Sequence, residues 1–579
     1  MRLTNSRMFQ SLALGLLAAL ACLGCAASGS TDSALPAAKP RLVVLLVFDQ
    51  MRGDYLSRWE NLYTDKGFRR LMRDGAWFDN CHYPYAHTVT GAGHASLLTG
   101  CSPEKHGIVG NEWFDRASGK EIGCVASDRY ERVPPLGKGD GKTASLSTVK
   151  WLGASPDRLL MPTVGDVLKE KTAGKGRVVS LSFKDRSAIL PAGHRPDSCY
   201  WLDTVAGTFV TSSYYRDRLE PWVADFNQRK PADKWFDKDW TRLRPDLDYC
   251  AYSGPDDVEA EGIGIFQGRA FPHRLTGGIK KVSPLYFQAL YNSPFGNELL
   301  LDLAKRAIDT LQLGKRDDAD LLCLSFSCND PIGHCWGPDS QEVLDVTLRS
   351  DRIVEDLLAY LDAKVGKGQY LIAMSADHGI GPLPEVSLQQ GKRAGRISPT
   401  VLSRDAEKFL EQSFGKLGDE KTRWIEEASY PWIYLNREAI HEHGVDENEV
   451  EQALARWLKQ QPGFLTAYGR NQLLRGLPEG DAIGAQVRRS FYADRSGDVE
   501  AVVQPYYLCT SRLTGTHHGT PHPYDTHVPL VVYGAGIKSG LHKEKVTPQA
   551  IAAILSRALD ISPPEGAEAR VPDGLFKTP

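Results

Sequence analysis

The hydrophobic positions of this chain form two patterns that alternate along the sequence. Short runs in which nearly every residue is aliphatic or β-branched predict strands buried on both faces, at 41–48, 321–326, 370–374 and 528–533. Longer stretches with apolar residues at helical spacing predict helices at 297–313, 343–365 and 447–461. Strands that alternate with helices predict an α/β fold with a doubly wound, mostly parallel central sheet flanked by helices.

Short Asp- and His-containing motifs follow the ends of the apolar runs or lie between them. Their candidate metal ligands are Asp49, Asp330, His334, Asp377, His378 and His518. Ligands bind at the carboxyl ends of strands in doubly wound sheets, where Asp49, Asp330 and Asp377 are predicted to fall. Aspartate and histidine without cysteine are ligands that zinc accepts. The motifs therefore predict one shared metal site.

The spread of these ligands determines the predicted domain organisation. Because they come from the first and last thirds of the chain, the catalytic domain cannot consist of two sequential halves. We predict a single interleaved domain over residues 41–579, with inserted subdomains at about 193–285 and 405–505.

The first residues predict export. Residues 1–25 contain two arginines and an apolar stretch at 12–24, too short to span a bilayer, and they are typical of a signal peptide. Cys22 or Cys25 could instead be the lipidated cysteine of a bacterial lipoprotein, and both interpretations stay open. Residues 26–40 form a linker rich in Ser, Ala and Pro. The predicted location is periplasmic or secreted, as a soluble protein or an outer-membrane lipoprotein.

Composition excludes several classes of function. The 579 residues carry a net charge of −3 and show no basic domain or stripe, so no nucleic acid is expected as a specific partner. Nine cysteines follow residue 25, and none has CxxC spacing, which argues against a cysteine zinc site or a thioredoxin-type role. Some of the nine could pair, since exported proteins form disulfides.

Two further segments carry candidate chemistry. Thr90 precedes small residues and a helix-like run from His94, and a hydroxyl at a helix N-terminus is well placed beside an anion. The alternative is that Thr90 is only a helix cap. Residues 177–183 predict a strand; if it continues to Arg186, then Lys184 and Arg186 share one face and can reach the same group.

The chain resembles the alkaline phosphatase superfamily and, within it, the PafA-like zinc alkaline phosphatases with a threonine nucleophile. The resemblance covers most of the chain after the linker. It runs through Phe48-Asp-Gln-Met-Arg, Thr90-Gly-Ala-Gly-His, His106-Gly-Ile-Val-Gly-Asn111, Lys184-Asp-Arg186, Asp330 to His334, Ala376-Asp-His-Gly379, and His518-Gly through Tyr524-Asp-Thr-His-Val-Pro. Each motif is weak alone, but the set in this order is specific.

The resemblance implies a set of roles. It implies two zinc ions per chain, one held by Asp49, Thr90, Asp377 and His378 and the other by Asp330, His334 and His518. Thr90 would be the nucleophile that forms a phosphothreonine intermediate. Asn111, Lys184 and Arg186 would bind the oxygens of the substrate.

The implied activity is hydrolysis of small phosphate monoesters. A Lys/Arg pair directed at non-bridging oxygens favours monoesters, which carry more charge than diesters. One alternative is a phosphodiesterase or nucleotide pyrophosphatase on the same scaffold. The other is a catalytically inactive binding protein, which the presence of every expected ligand disfavours.

Overall fold

The computed structural model describes residues 39–136, 153–418 and 421–578. The predicted signal peptide at 1–25 and all but the last two residues of the predicted linker lie outside the described residues. None of the helices in the described ranges has the length and apolar character that crossing a membrane requires. The nine cysteines in the same ranges are all unpaired.

A ten-stranded sheet forms the centre of the protein. Its strands, numbered in chain order, are β1 Leu42–Phe48, β2 Ala76–Phe78, β3 Arg132–Val133, β4 Val178–Ser182, β5 Ser198–Asp203, β6 Thr208–Ser212, β7 Asp320–Phe326, β8 Tyr370–Ser375, β9 Leu530–Gly534 and β10 Gly540–His542. Across the sheet they follow the order β10-β2-β9-β8-β1-β7-β4-β5-β6-β3. The five central strands, from β8 to β5, are mutually parallel. The predicted fold class is therefore confirmed.

One predicted strand is antiparallel to its neighbours, although a parallel strand is expected. The run at 528–533 predicts a parallel strand, but β9 is antiparallel to β8 and to β2. A continuous apolar run reports burial on both faces, and burial is the same for either strand direction. The sequence pattern consequently locates β9 without giving its orientation.

Helices lie between the strands along the chain. They span Tyr55–Arg58, Phe68–Asp74, Thr90–Thr99, Pro103–His106, Val164–Lys171, Asp185–Ala192, Pro221–Gln228, Tyr249–Ser253, Pro284–Tyr291, Phe295–Thr310, Asn329–Trp336, Gln341–Leu361, Pro384–Gln389, Pro399–Phe414, Arg437–Glu442, Glu447–Gln460, Arg470–Arg475, Ala482–Ser490, Pro523–Thr526 and Ala550–Leu559. The three predicted helices correspond to Phe295–Thr310, Gln341–Leu361 and Glu447–Gln460. The second of these begins where the Ser340 hydroxyl accepts a hydrogen bond from the Val343 N–H.

A second, four-stranded sheet, which we call the small sheet, lies within the later predicted insertion. Its strands are Ile425–Ser429, Trp432–Leu435, Val499–Val503 and Phe464–Gly469, in that spatial order. Helices Pro399–Phe414 and Glu447–Gln460 bury apolar residues with it in one hydrophobic cluster. The earlier predicted insertion, at about 193–285, includes β5 and β6, so its first part belongs to the central sheet. The boundaries of both insertions stay predictions.

Candidate active site

Three parallel strands bring the candidate carboxylates to one edge of the central sheet. β1 ends directly before Asp49 and pairs in register with β7 on one side and with β8 on the other. Asp377 follows the end of β8 by two residues. Asp330 lies in the first turn of the helix Asn329–Trp336, which follows β7. Because neighbouring parallel strands end at the same edge, these side chains meet there.

The candidate histidines join the carboxylates from three parts of the chain. His334 lies one helical turn after Asp330, so the two side chains share a face, and His334 Nε2 is 3.2 Å from Asp330 Oδ1. The rings of His378 and His518 stack with their centroids 3.5 Å apart. His518 Nε2 lies 3.7 Å from Asp330 Oδ1. The structure therefore brings all six candidate Asp and His ligands together.

Backbone carbonyls hold the rings of the three candidate histidines. In each ring, Nδ1 lies 2.8 Å from a carbonyl oxygen. The carbonyls belong to Thr516 for His334, to Gly379 for His378 and to Thr88 for His518. A carbonyl only accepts, so these contacts assign the proton to Nδ1 and leave the Nε2 lone pair free. This is the arrangement that metal-binding histidines use.

Thr90 is the first residue of the helix Thr90–Thr99, and it follows an extended Val89. Its side-chain hydroxyl is buried, 3.4 Å from His378 Nε2 and 3.3 Å from Lys184 Nζ. The helix packs closely on the strand end that carries Asp377. The hydroxyl thus lies among the candidate metal ligands.

Two small residues at the start of this helix allow close packing. A Cβ added to Gly93 would lie 2.1 Å from the carbonyl oxygen of Asp377, so only glycine fits there. The Gly91 N–H donates a hydrogen bond to Asn111 Oδ1 at 2.7 Å. Asn111 also lines the cavity of the candidate site, and its amide nitrogen is not used in this contact.

The buried carboxyl groups of the site differ in how readily they ionise. Burial, assisted by Asp377, raises the pKa of Asp49 well above its ordinary value. Burial also opposes ionisation of Asp330, but Lys184 and His334 outweigh it and hold the pKa of that carboxyl well below its ordinary value. Three carboxylates thus share the space with one lysine.

The donor set fits divalent metal ions. Asp49 Oδ1 and Asp377 Oδ2 are buried and accept no hydrogen bond within the described part of the chain. Potential ligand atoms of Asp330, His378 and His518 lie within 4.8 Å of one another, and those of Asp49, His94 and Asp377 do likewise. Free oxygen and imidazole lone pairs in a buried, negatively charged site are what a bound zinc ion requires.

The His378 ring lies between the two predicted ligand sets. The resemblance implies that it joins Asp49 and Asp377, and its Nε2 is 3.6 Å from Asp49 Oδ1 and 3.4 Å from Asp377 Oδ2. The same side chain also clusters with Asp330 and His518. The division of ligands between two ions therefore stays a prediction.

Lys184 and Arg186 do not continue a strand, which corrects the sequence-based geometry. β4 ends at Ser182, and the helix Asp185–Ala192 begins immediately after Lys184. β4 thus ends one residue before the predicted end at residue 183, and the continuation to Arg186 does not occur. Lys184 Nζ contacts Asp49 Oδ2 at 2.7 Å and Asp330 Oδ2 at 2.8 Å.

The Lys184 ammonium stays charged despite its burial. Burial lowers its pKa, but the carboxylates of Asp330 and Asp49 outweigh burial and raise the pKa above the ordinary value. Arg186 lies in the first turn of its helix, with a buried Nε that has no hydrogen-bond partner among the described residues. Both side chains line one cavity of about 880 Å3 with Asn111, Asp330 and His334.

Two residues of the site were not identified from the sequence. Gln50 has a left-handed backbone, with φ of 67°, and its Nε2 donates to Asp330 Oδ1 at 2.7 Å while its backbone N–H donates to Asp377 Oδ1 at 3.1 Å. His94 Nδ1 lies 2.9 Å from the carbonyl oxygen of Thr90 and 3.1 Å from Asp377 Oδ2. The only sequence signal for these two residues is their place in the motifs. Gln50 directly follows Asp49, and His94 lies four residues after Thr90.

Comparisons with known proteins agree with this geometry. Residues 43–525 match the family described as type I phosphodiesterase / nucleotide pyrophosphatase. The chain is 35% identical to alkaline phosphatase PafA of Elizabethkingia meningoseptica, covering 96% of each chain. It is 34% identical to alkaline phosphatase PhoV of Synechococcus elongatus, covering 93% of this chain and 94% of that one.

A solved structure is also similar over almost the whole chain. The crystal structure of wild-type PafA superimposes with a TM-score of 0.84 at 33% identity, covering 94% of this chain and all of that one. Fold, sequence and the convergence of the Asp, His and Thr motifs therefore lead to one assignment. This chain belongs to the type I phosphodiesterase / nucleotide pyrophosphatase family and, within the alkaline phosphatase superfamily, to the group that includes PafA and PhoV.

Proposed function

We propose that the protein is a zinc-dependent alkaline phosphatase that hydrolyses phosphate monoesters through a phosphothreonine on Thr90. Asp49, Thr90, Asp377 and His378 would hold one zinc ion. Asp330, His334 and His518 would hold the other. The observation that carries the proposal is the buried Thr90 hydroxyl at a helix N-terminus, among these side chains and within 3.3 Å of Lys184 Nζ.

The proposed reaction has two steps, and Thr90 Oγ1 forms a bond to phosphorus in the first and loses it in the second. In the first step, Thr90 Oγ1 loses its proton and forms a bond to phosphorus while the ester P–O bond breaks, and the departing oxygen takes up a proton from water so that the alcohol leaves. In the second step, water attacks the phosphorus and the bond to Thr90 breaks, which releases phosphate and restores the hydroxyl. Bound divalent ions supply charge neutralisation to both oxygens of such an in-line displacement.

The residues around Thr90 prepare it for this role. The dipole at the start of the helix Thr90–Thr99 would stabilise negative charge on the hydroxyl oxygen and on a phosphoryl group next to it. Lys184 adds a full positive charge at 3.3 Å. In this proposal Lys184 and a bound zinc ion would favour the ionised form of the Thr90 hydroxyl, so the reaction would not require a general-base histidine.

The charge of the cavity supports monoesters as substrates. Lys184, Arg186 and Asn111 line the cavity beside Thr90, and together they can neutralise and bind several non-bridging oxygens. A monoester presents three such oxygens and more charge than a diester. The relatives named alkaline phosphatases agree with this preference.

The second candidate is phosphodiester hydrolysis, which the name of the matching family favours. A diester carries a single negative charge and a second organic group. It would leave part of the positive charge of Lys184 and Arg186 without a partner. The two candidates therefore differ in a measurable way.

Hydrolysis of p-nitrophenyl phosphate and bis-p-nitrophenyl phosphate by the purified protein tests the proposal. We expect a higher kcat/KM for the monoester, loss of activity with a zinc chelator, and recovery when zinc is added back. Higher kcat/KM for the diester would establish the second candidate. Bound zinc without turnover of either ester would overturn both.

A further inference from the structure

Apolar side chains stand at the mouth of the active-site cavity. Leu513 is 85% exposed and Ile263 is 56% exposed, and both line the cavity that contains Lys184 and Arg186. A single exposed apolar residue is common on protein surfaces. Two exposed apolar residues that line one cavity, however, place apolar surface on the same opening beside a highly charged site.

Backbone hydrogen bonds fix the position of this surface. The Gly515 N–H donates to the Ala260 carbonyl at 2.8 Å, which joins the loop that carries Leu513 to the loop that carries Ile263. The Gly262 N–H donates to the Cys335 carbonyl at 2.7 Å, next to His334. The apolar mouth is therefore held directly against the candidate metal site.

The direction of the reaction places a leaving group at this mouth. Thr90, with 1% of its surface exposed, lies behind the wall of the cavity, and its hydroxyl is 3.3 Å from Nζ of Lys184, which lines the cavity. In an in-line displacement the leaving oxygen departs on the side of phosphorus opposite the nucleophile. The organic group of a bound monoester thus points away from Thr90 and toward solvent, where Ile263 and Leu513 stand.

We propose that Ile263 and Leu513 form a subsite for an apolar leaving group. The enzyme would prefer phosphate monoesters of alkyl or aryl alcohols to those of small polar alcohols. This inference rests on the proposed monoester hydrolysis and specifies its substrate class. Each methylene group that reaches the subsite removes apolar surface from water, so kcat/KM rises by about twofold to fourfold per methylene until the chain extends past the mouth.

Methyl, butyl and hexyl phosphate test the subsite, because their alcohols have similar acidity and differ in apolar area. We expect the ratio of kcat/KM for hexyl phosphate to that for methyl phosphate to fall at least about fivefold in the double variant Ile263→Ser/Leu513→Ser. The matched control is Leu474→Ser, which removes a leucine that is 46% exposed on the helix Arg470–Arg475. The control keeps the wild-type ratio.

Binding of methyl-, butyl- and hexylphosphonate, measured by calorimetry, separates this inference from the proposed function. Phosphonates are not hydrolysed here, so their affinity reports the subsite without turnover. Affinity that increases with chain length in the wild type, and less in the double variant, supports the subsite even if no monoester is hydrolysed. Chain-length dependence that is absent, or equal in wild type and double variant, overturns the subsite even if monoesters are hydrolysed.

Discussion

Two regions of the protein bury carboxyl groups, and they do so differently. In the candidate active site, Asp49, Asp330 and Asp377 share one buried space with Lys184. In the small sheet, Glu500 is buried at a distance from other carboxylates, and its Oε2 accepts one hydrogen bond from Trp432 Nε1 at 3.2 Å. Both arrangements remove carboxyl groups from water, which disfavours their charged form.

The two regions compensate for this loss of hydration by opposite means. Burial raises the pKa of Glu500 to about 8, so Glu500 is neutral when the protein folds near pH 7. In the site, Lys184 and the histidines keep Asp330 and Asp377 ionised by lowering their pKa against the effect of burial. Burial alone therefore does not identify a functional carboxylate. A cluster of buried carboxylates that stays charged does indicate a functional site, because its negative charge favours the binding of cations.

Among the changes that test this comparison, removal of the Thr90 hydroxyl should cause the largest loss of activity. We expect Thr90→Ala to lower kcat/KM for p-nitrophenyl phosphate by about a thousandfold or more, because the charged cluster has no other nucleophile in its place. Bound zinc and the thermal unfolding transition should change little. Thr90→Ser, which keeps a hydroxyl, is the control and should retain substantial activity. Near-normal turnover by Thr90→Ala would assign the nucleophile elsewhere.

Neutralising one carboxylate of the cluster should have the next largest effect. Asp377→Asn keeps the shape of the side chain but removes the charge. We expect zinc affinity and kcat/KM each to fall by at least about a hundredfold, as measured by metal titration and steady-state kinetics. An unchanged zinc affinity would show that the cluster does not bind the metal through Asp377.

The contrast between these regions also explains what the sequence could reveal about the fold. Apolar runs located β1, β7, β8 and β9 to within two residues, because burial on both faces leaves a continuous signal. Strand direction was not encoded in that signal, so the antiparallel β9 was unexpected. β5 and β6 lie in a polar, aromatic-rich stretch and were assigned to an insertion.

The sequence predicts those residues of the candidate site that lie in short motifs after apolar runs. The position of Asp49, Asp330 and Asp377 after apolar runs predicts them at strand ends, their ligand types predict a shared metal site, and the resemblance implies how two zinc ions divide them. No sequence pattern identifies Gln50, because its place in the site depends on a left-handed backbone and on two contacts across the fold. The turn before Lys184 also lacks a sequence signal, since the apolar run at 177–183 does not show where its strand ends.

Removing the cations of the cavity should produce a smaller, selective effect. In the double variant Lys184→Ala/Arg186→Ala we expect the preference for p-nitrophenyl phosphate over bis-p-nitrophenyl phosphate to fall by at least about tenfold. The extra charge of the monoester is what these side chains neutralise. The exposed Lys66→Ala is a control that removes a positive charge elsewhere. Equal losses on the two substrates would contradict the role of this charge in specificity.

The smallest effect is expected from Glu500, and it appears in stability rather than turnover. The folded-state pKa of Glu500, about 8, is above its ordinary value of 4.5. Its contribution to the free energy of unfolding is therefore fully present below about pH 4.5 and is lost as pH rises to about 8. The loss is on the order of 3–5 kcal/mol, because each pKa unit corresponds to about 1.4 kcal/mol.

Glu500→Gln should remove this pH dependence, because glutamine cannot ionise and its carbonyl can still accept from Trp432. We expect the variant to unfold at a higher temperature than the wild type near pH 9 and at a similar temperature near pH 5, as measured by calorimetry. Glu442→Gln removes the same charge from an exposed position and should leave the wild-type profile. If Glu500→Gln follows that profile too, then the buried glutamate is not held neutral, and the contrast between the two regions disappears.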